Sequence, residues 1–313
     1  MPAAMQHLLG MHDTKGDLEG LLREAADLKR SFKAGKGPEP LRRRTLAMIF
    51  EKSSTRTRVS FEVGVHLLGG QALFLSPNDI QMGRGETIED TAKVLSRYVD
   101  LIMYRCFKHE NLEELARHAE VPVINGLSDR EHPCQILADW LTIQERKGGL
   151  RGLQFVYAGD GNNMCRSYLL GGALAGMHTR VCTPRKYHPG QDFLDAAARL
   201  GSETGARIEW TDDVAGAVKG ADVVATDTWV SMGDEKEKEQ RLRDFHGYTI
   251  DKAVMAKAKK DAMFLHCLPA YYGKEVTKDV AHGPQSAIWD EAENRQWAQM
   301  AVMVRLLRER GKA

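Results

Sequence analysis

The sequence predicts an α/β protein made of two parallel-sheet domains of similar size, with a cleft between the domains and a C-terminal helix that packs back. Three observations support this fold class. The chain has 313 residues, enough for two domains at roughly 150 residues each. Short β-rich runs alternate with helix-like stretches, which is the pattern of βαβ units. This alternation pauses at Gly148-Gly149 and then resumes.

In the first half, four strand-length runs carry the alternation. The predicted strands are 46–50, 72–75, 101–104 and 121–124, and the predicted helices are 58–68 and 112–118. A further helix over 133–146 begins with a proline, which is tolerated in the first turn, and would join the two halves. We therefore assign the first domain to residues 1–147.

The second half repeats the pattern. The predicted strands are 154–158, 179–182, 207–210, 222–225 and 263–266, with a helix over 167–174 and a last helix over about 291–310. Periodicity does not decide which domain the last helix packs against. We assign 148–290 to the second domain and return 291–313 to the first.

Composition excludes several classes of protein. The 44 Lys and Arg balance 43 Asp and Glu, so no overall field attracts nucleic acid or anionic lipid. No apolar run approaches the ~20 residues of a membrane-spanning helix. The first residues lack a basic region ahead of their apolar patch, unlike a targeting peptide. Five scattered cysteines without a CxxC pair are typical of reduced thiols. We expect a cytoplasmic protein without a metal, a membrane or a nucleic-acid partner.

A phosphate-binding geometry follows the first strand. Ser54, Thr55, Arg56 and Thr57 lead from that strand into an amphipathic helix. Backbone N–H groups at a helix N-terminus attract anions, and the hydroxyls and the guanidinium add donors. An ordinary Ser/Thr cap is the alternative. The spacing of a Walker loop is absent.

Two further groups lie near strand ends. Arg105 ends the strand 101–104, and His132 and Gln135 flank the start of the helix that opens at Pro133. The imidazole would donate to a carbonyl oxygen, and the amide oxygen would accept from an attached NH2 group. A surface arginine and a capping histidine are the alternatives.

The second half carries three weaker signals. The glycine-rich turn 158–163 is an incomplete dinucleotide motif, because Met164 replaces the third glycine. Asp227, followed by the Ser231-Met232-Gly233 loop, could bind a cationic amine. Cys267, in a His-Cys-Leu-Pro sequence, could equally be a buried free cysteine.

The ordered set STRTR, HPCQ, DGNN, DxxxSMG, HCLP and EAENR resembles the aspartate/ornithine carbamoyltransferase family from about residue 46 to 307. DxxxSMG and HCLP mark its ornithine branch. The resemblance implies transfer of the carbamoyl group from carbamoyl phosphate to the δ-amine of L-ornithine, without a cofactor. It also implies a homotrimer, or a multiple of trimers, with active sites at subunit interfaces.

The resemblance implies site residues as well. Those for phosphate are Ser54, Thr55, Arg56 and Thr57, with Gln81 reaching the phosphate of a neighbouring subunit. Those for the carbamoyl group are Arg105, His132, Gln135 and Arg295. Those for ornithine and its surroundings are Asn163, Asp227, Ser231, Met232, Cys267 and Leu268. The catalytic members are Arg105, His132, Asp227, Cys267 and Arg295.

One position departs from the family pattern: Arg166 stands where a small or neutral residue is expected, with an effect that the sequence leaves open. Three other functions also remain open. They are a carbamoyltransferase for putrescine or an N-acylated ornithine, a dinucleotide-dependent oxidoreductase built on the 158–163 turn, and a non-catalytic homologue.

Overall fold

A computed structural model describes residues 5–82, 84–231, 233 and 235–311. The chain divides into two compact units: unit 1 is Met1–Leu141 with Glu293–Ala313, and unit 2 is Thr142–Ala292. Each unit is an α/β layer structure around one parallel sheet. The predicted fold class is therefore confirmed.

The elements alternate along the chain as the sequence pattern predicts. The strands are β1 (Thr45–Phe50), β2 (Gln71–Leu75), β3 (Leu101–Arg105), β4 (Val123–Leu127), β5 (Gln154–Ala158), β6 (His178–Cys182), β7 (Ile208–Thr211), β8 (Val223–Thr226) and β9 (Met263–His266). The helices are α1 (Leu18–Lys33), α2 (Thr55–Leu67), α3 (Ile88–Tyr98), α4 (His109–His118), α5 (Pro133–Lys147), α6 (Asn163–Ala175), α7 (Gln191–Thr204), α8 (Val214–Val218), α9 (Lys238–Asp244), α10 (Lys252–Met255), α11 (Lys278–Ala281) and α12 (Ile288–Arg308).

The sheet of unit 1 has the order β2-β1-β3-β4, with every pairing parallel. The central strands β1 and β3 are buried almost throughout, which explains their continuous apolar sequences. The edge strand β2 is largely half-exposed. The carboxyl ends of β1 and β3 therefore lie side by side, and they lead into the first two predicted motifs.

Strand β4 differs from its predicted position of 121–124. Pro122 has no N–H to donate to a ladder, so regular pairing begins at Val123. The N-terminal segment then lies along β4: the Leu8 N–H donates to the Val123 carbonyl at 2.9 Å, and the Asn125 N–H donates to the Leu8 carbonyl at 2.7 Å. The strand also continues through Gly126, where its register against β3 shifts.

The sheet of unit 2 has the order β7-β6-β5-β8-β9 and is also parallel. Strands β5 and β9 have the predicted bounds. Helix α6 packs closely on β6, because a Cβ atom on Gly172 would lie 2.0 Å from the Thr179 hydroxyl. It ends at Gly176, whose φ of 70° is the left-handed conformation of a C-cap glycine.

From Glu293 onward, α12 belongs to unit 1 and packs against α1 there. The Lys29 ammonium donates to the Asn294 side chain at 2.8 Å, and the rings of Phe32 and Trp297 lie 6.0 Å apart. Arg305 pairs with Glu24 at 3.0 Å. The C-terminal helix thus brings its Arg295 into unit 1. Within the residues described, no helix combines the length and the apolar character that crossing a membrane requires.

Candidate active site

The turn after β1 forms a helix N-terminus suited to an anion. The Ser54 hydroxyl caps α2 by accepting from the Thr57 N–H at 3.2 Å. Thr55 is exposed and Arg56 is half-buried in the first turn. The cap satisfies one amide, and the positive end of the helix with Arg56 beside it leaves a cationic surface at the end of β1.

The Thr57 hydroxyl joins three side chains that the sequence pattern places far apart. Its oxygen lies 3.1 Å from the Ser54 hydroxyl, 3.5 Å from an Arg105 Nη and 3.0 Å from an Arg295 Nη. Arg105 and Arg295 are only 5% and 3% exposed. Together with Gln135, these residues are called the Thr57 cluster below. Two buried guanidinium groups at one point give unit 1 a strong local attraction for anions.

The end of β3 and the irregularity in β4 position Arg105. Its guanidinium donates to the Gly126 carbonyl at 3.4 Å, at the place where the β3–β4 register shifts. Glu51, directly after β1, accepts from the Phe107 N–H at 2.7 Å and from the Tyr104 hydroxyl. Arg105 is thus held between anchors on both neighbouring strands. Sequence analysis missed Glu51 and Gly126.

Helix α5 begins at Pro133, as the sequence predicts, and His132 and Gln135 on either side of that residue are both buried. The Gln135 amide oxygen accepts from Arg295 at 2.6 Å, and its NH2 group donates to Asp139 at 2.8 Å. Burial, followed by the charges of Arg295, Arg105 and Arg56, lowers the pKa of His132 well below its usual value. The imidazole is therefore neutral at neutral pH.

The turn that carries His132 is fastened to the N-terminal segment, a feature that sequence analysis missed. The Asn125 amide donates to the Leu9 carbonyl at 2.7 Å and faces the Glu131 carbonyl at 3.3 Å. The Glu131 carboxylate accepts from the Met11 N–H at 2.8 Å. Burial raises the pKa of Glu131 to about 7. No local motif signals the contacts to Leu9 and Met11, because these partners lie more than a hundred residues away.

Gln81 lies on the surface of unit 1. Its side chain is exposed on the loop between β2 and α3, where its carbonyl accepts from the Arg84 N–H at 2.8 Å. The turn is also held by Asp79, whose carboxylate accepts from the Ser76 N–H at 3.0 Å. These contacts fix turns on either side of Gln81, whose side chain lies at the surface.

In unit 2, Asp227 follows β8 and accepts three hydrogen bonds. The donors are the Cys267 thiol at 3.2 Å, the Asn162 amide at 3.0 Å and the Thr228 N–H at 2.7 Å. The structure thus joins the predicted residues Asp227 and Cys267. The amide donor to Asp227 is Asn162, the residue before the predicted ornithine-binding residue Asn163. Asn163 is half-buried at the first position of α6.

The His-Cys-Leu-Pro segment is organised by its histidine. His266 is fully buried; its Nδ1 accepts from the Leu268 N–H at 2.9 Å and its Nε2 faces Glu275 at 3.3 Å. Leu268 adopts a φ of +59°, which is unfavourable for a bulky side chain, and precedes a cis proline. These contacts hold the half-buried Leu268 and Cys267 at the end of β9.

The ligand atoms of Asp227, His266 and Cys267 lie within 4.8 Å of one another, a spacing that could hold a metal ion. The hydrogen bonds weigh against this use. Nδ1 of His266 already accepts a backbone N–H, so Nε2 carries the proton that faces Glu275. Neither ring nitrogen then offers a lone pair to a metal.

The loop after Asp227 is anchored to α9 and its C-cap residue through Trp229. The Trp229 ring stacks on Phe245 at 5.4 Å, and the Trp229 carbonyl accepts from Arg241 at 3.1 Å. Arg241 also pairs with the buried Asp160 at 2.7 Å. Ser231, between these anchors, is half-buried. The predicted site residue Met232 lies outside the residues that the structure describes.

The turn 158–163 does not suit a dinucleotide. A Cβ atom on Gly161 would lie 2.1 Å from the Tyr187 carbonyl, so backbone fills the space that a pyrophosphate would need. The Asn162 side chain also caps α6 by accepting from the N–H groups of Met164 and Cys165. The unusual Arg166 donates to the Pro189 carbonyl at 2.9 Å. It therefore supports the neighbouring loop.

Comparison with known proteins identifies the family. The model of the aspartate/ornithine carbamoyltransferase carbamoyl-P binding domain matches residues 6–145, and that of the Asp/Orn binding domain matches residues 151–306. The chain belongs to the aspartate/ornithine carbamoyltransferase family. The two matched regions carry the Thr57 cluster and Asp227 respectively, although Arg295 of that cluster falls within the second match.

Members of this family are similar to the chain over nearly its whole length. An ornithine carbamoyltransferase from Methanoculleus marisnigri is 53% identical, with 93% of each chain covered. One from Oceanobacillus iheyensis is 54% identical, covering 94% of this chain and 91% of its own. The solved ornithine carbamoyltransferase from Pyrococcus furiosus is 49% identical, with a TM-score of 0.93 and 96% of each chain covered.

Proposed function

We infer that this protein transfers the carbamoyl group of carbamoyl phosphate to the δ-amine of L-ornithine, which yields L-citrulline and phosphate. The observation that carries the inference is the Thr57 cluster, where two buried arginines and a glutamine amide converge in the same unit as a neutral histidine. The high identity to ornithine carbamoyltransferases over nearly the full chain supports the choice of amine.

Unit 1 would bind and polarise carbamoyl phosphate. The helix N-terminus of α2, with the hydroxyls of Ser54, Thr55 and Thr57 and the guanidinium of Arg56, would hold the phosphate. Arg105 would bridge phosphate and carbonyl. The carbonyl oxygen would also accept hydrogen bonds from neutral His132 and from the guanidinium of Arg295. Gln135 would accept from the carbamoyl NH2. These donors stabilise the oxyanion that develops when the carbon is attacked.

Unit 2 would bind ornithine through Asp227 and its surroundings. Asp227 would pair with the α-amino group, and Asn163, Ser231 and Met232 would contribute to the amino-acid end, while Cys267 and Leu268 would line the site. In the reaction, the neutral δ-nitrogen forms a bond to the carbamoyl carbon and loses a proton. The carbon–oxygen bond to phosphate breaks, and phosphate leaves with the electron pair.

The proposal also covers the roles of the two domains, the oligomeric state and the cellular location. Residues 1–147 with 291–313 would bind carbamoyl phosphate, and residues 148–290 would bind ornithine. The exposed position of Gln81 supports a role toward a second copy of the chain, and hence a homotrimer or a multiple of trimers. Five free cysteines are compatible with the cytoplasm. Light scattering of the purified protein tests the assembly.

Citrulline formation by the purified protein tests the function. Carbamoyl phosphate is supplied with ornithine, putrescine or N-acetylornithine in parallel reactions. We expect turnover with ornithine to exceed that with the other amines by at least a hundredfold. Faster turnover with putrescine or N-acetylornithine would identify a different acceptor, and absence of carbamoylated product with all three would refute the proposal.

The rate should rise toward alkaline pH, because the δ-amine has a pKa near ~10.4 and must be neutral to attack. Single-turnover rates between pH 7 and 9.5 measure this dependence. A rate that stays constant over this range, with chemistry limiting, would contradict an amine that must first lose a proton.

A further inference from the structure

A buried carboxylate lies behind the proposed carbamoyl site without touching the place assigned to substrate. Asp139 is on α5, four residues after Gln135, and its side chain is fully buried. Residues four apart share one face of a helix. Its Oδ1 accepts from the Gln135 NH2 group at 2.8 Å, while the Gln135 oxygen accepts from Arg295 at 2.6 Å.

These two contacts leave Gln135 only one satisfactory orientation. A guanidinium donates and never accepts, and an ionised carboxylate accepts and never donates. Rotating the amide by half a turn would bring two donors together at Arg295 and two acceptors together at Asp139. Each lost contact is a hydrogen bond to a charged group, so the rotated form is at least about a hundredfold rarer.

We propose that Asp139 is a positioning residue that fixes the Gln135 amide with its oxygen toward the carbamoyl NH2. The proposal rests on the function inferred above. A carbamoyl NH2 group needs an acceptor, and the Gln135 oxygen, which lies beside Arg295, would be that acceptor. A rotated amide would present its own NH2 to the substrate and would repel it. Asp139 therefore determines whether the oxygen or the NH2 group of the Gln135 amide faces the substrate.

The arrangement also explains why a carboxylate is kept in the interior. Burying a carboxylate is unfavourable unless hydrogen bonds compensate. The hydrogen bonds run from Arg295 through Gln135 to Asp139, so the amide dipole is aligned between a cationic donor and a carboxyl acceptor. An alanine at 139 would remove the acceptor and leave a cavity as well, and its effect would combine both causes.

A double-mutant cycle separates positioning from general stabilisation. The variants are D139N, Q135E and Q135E/D139N, with E145Q as a control that removes an exposed carboxylate from the same helix. Q135E places two carboxylates against each other. In the double variant the new amide at position 139 donates to the new carboxylate at position 135. That carboxylate keeps one oxygen for Arg295 and another lone pair for the substrate.

We expect kcat/KM for carbamoyl phosphate to fall about tenfold in D139N and at least a hundredfold in Q135E. The double variant should recover roughly tenfold or more relative to Q135E, as residues in direct contact do. The KM for ornithine should stay within about twofold throughout, and E145Q should match the wild type. The proposal would be overturned if the loss of kcat/KM in the double variant equalled the product of the losses in D139N and Q135E.

Thermal melting accompanies each measurement. Should D139N fail to fold, recovery of the melting temperature in Q135E/D139N reports the same coupling, and its absence overturns the proposal. A wild-type protein that forms no citrulline would overturn the inferred function and this proposal together. Multiplying losses in an active wild-type background would overturn the positioning role alone.

Discussion

Replacing Glu131 by glutamine tests whether the turn that carries His132 is titrated near neutral pH. Glu131 is buried, and its carboxylate accepts from the Met11 N–H. The absence of a side chain at Gly10 makes space for the Glu131 carboxylate, since a Cβ atom on Gly10 would lie 2.3 Å from a Glu131 carboxylate oxygen. Glutamine has nearly the same shape and keeps an acceptor for Met11, but it has no negative charge to bury.

The sign and size of the effect follow from the pKa. Burial raises the pKa of Glu131 from 4.5 to about 7, so the folded chain holds a proton that the unfolded chain has released. Stability from this group is therefore greatest below about pH 4.5 and declines as the pH rises to about 7. At about 1.4 kcal/mol for each pH unit, the full loss is about 3 kcal/mol. Roughly 2 to 3 kcal/mol of it falls between pH 5 and pH 8.

Differential scanning calorimetry of both proteins at pH 5 and pH 8 measures this effect. We expect the melting temperature of E131Q minus that of the wild type to be roughly 5 to 10 °C larger at pH 8 than at pH 5. This size follows from a shift of about 2 to 4 °C per kcal/mol for a domain of this size. The matched control is Glu19→Gln, an exposed carboxyl of unit 1. A difference between E131Q and wild type that does not change with pH would refute the reasoning.

Three further predictions address the two halves of the proposed site. Arg56→Ala should raise the KM for carbamoyl phosphate at least tenfold, because a hydrogen bond to a charged group contributes ~1.5 to 3 kcal/mol. It should leave the KM for ornithine nearly unchanged, and equal effects on both KM values would contradict the role of Arg56. Arg241→Gln breaks the pair with Asp160 and should raise the KM for ornithine about tenfold without affecting the KM for carbamoyl phosphate. The control Arg243→Gln, at an exposed position, should change neither KM. An unchanged KM for ornithine in Arg241→Gln would show that the contact between Arg241 and the loop is dispensable. Cys267, the half-exposed cysteine, should react with a thiol reagent faster than the four buried ones and be protected by ornithine; a fast phase that survives in Cys267→Ala would contradict this.

Two buried strands and the phosphate turn could be predicted because their causes are local. Strands β5 and β9 are buried nearly throughout, so their apolar runs begin and end where the ladder does. Ser54 occupies the N-cap position of α2 because a hydroxyl satisfies a free amide there. Helix α1, which is not among the predicted helices, has a comparable signal, with Leu18, Leu21 and Leu28 on one buried face.

The contacts that complete the site could not be predicted, because their partners are distant in sequence. Asn125 joins β4 to the N-terminal segment, and its neighbour Gly126 continues a strand where Asn-Gly indicates a turn. Asn162 and Asn163 are adjacent and chemically identical. Only the cap geometry of α6 turns the first toward Asp227.

Burial, and after it the concentration of positive charge in unit 1, explains why the histidine must be neutral. Arg105 and Arg295 meet at the Thr57 hydroxyl, so a protonated imidazole nearby would add a third buried cation. Neutral His132 can still donate one hydrogen bond to a carbonyl oxygen, and it leaves the full positive charge of the arginines for the anion. The same low pKa keeps His132 itself neutral across the neutral and alkaline range, so protonation of His132 does not account for the expected rise of the rate with pH.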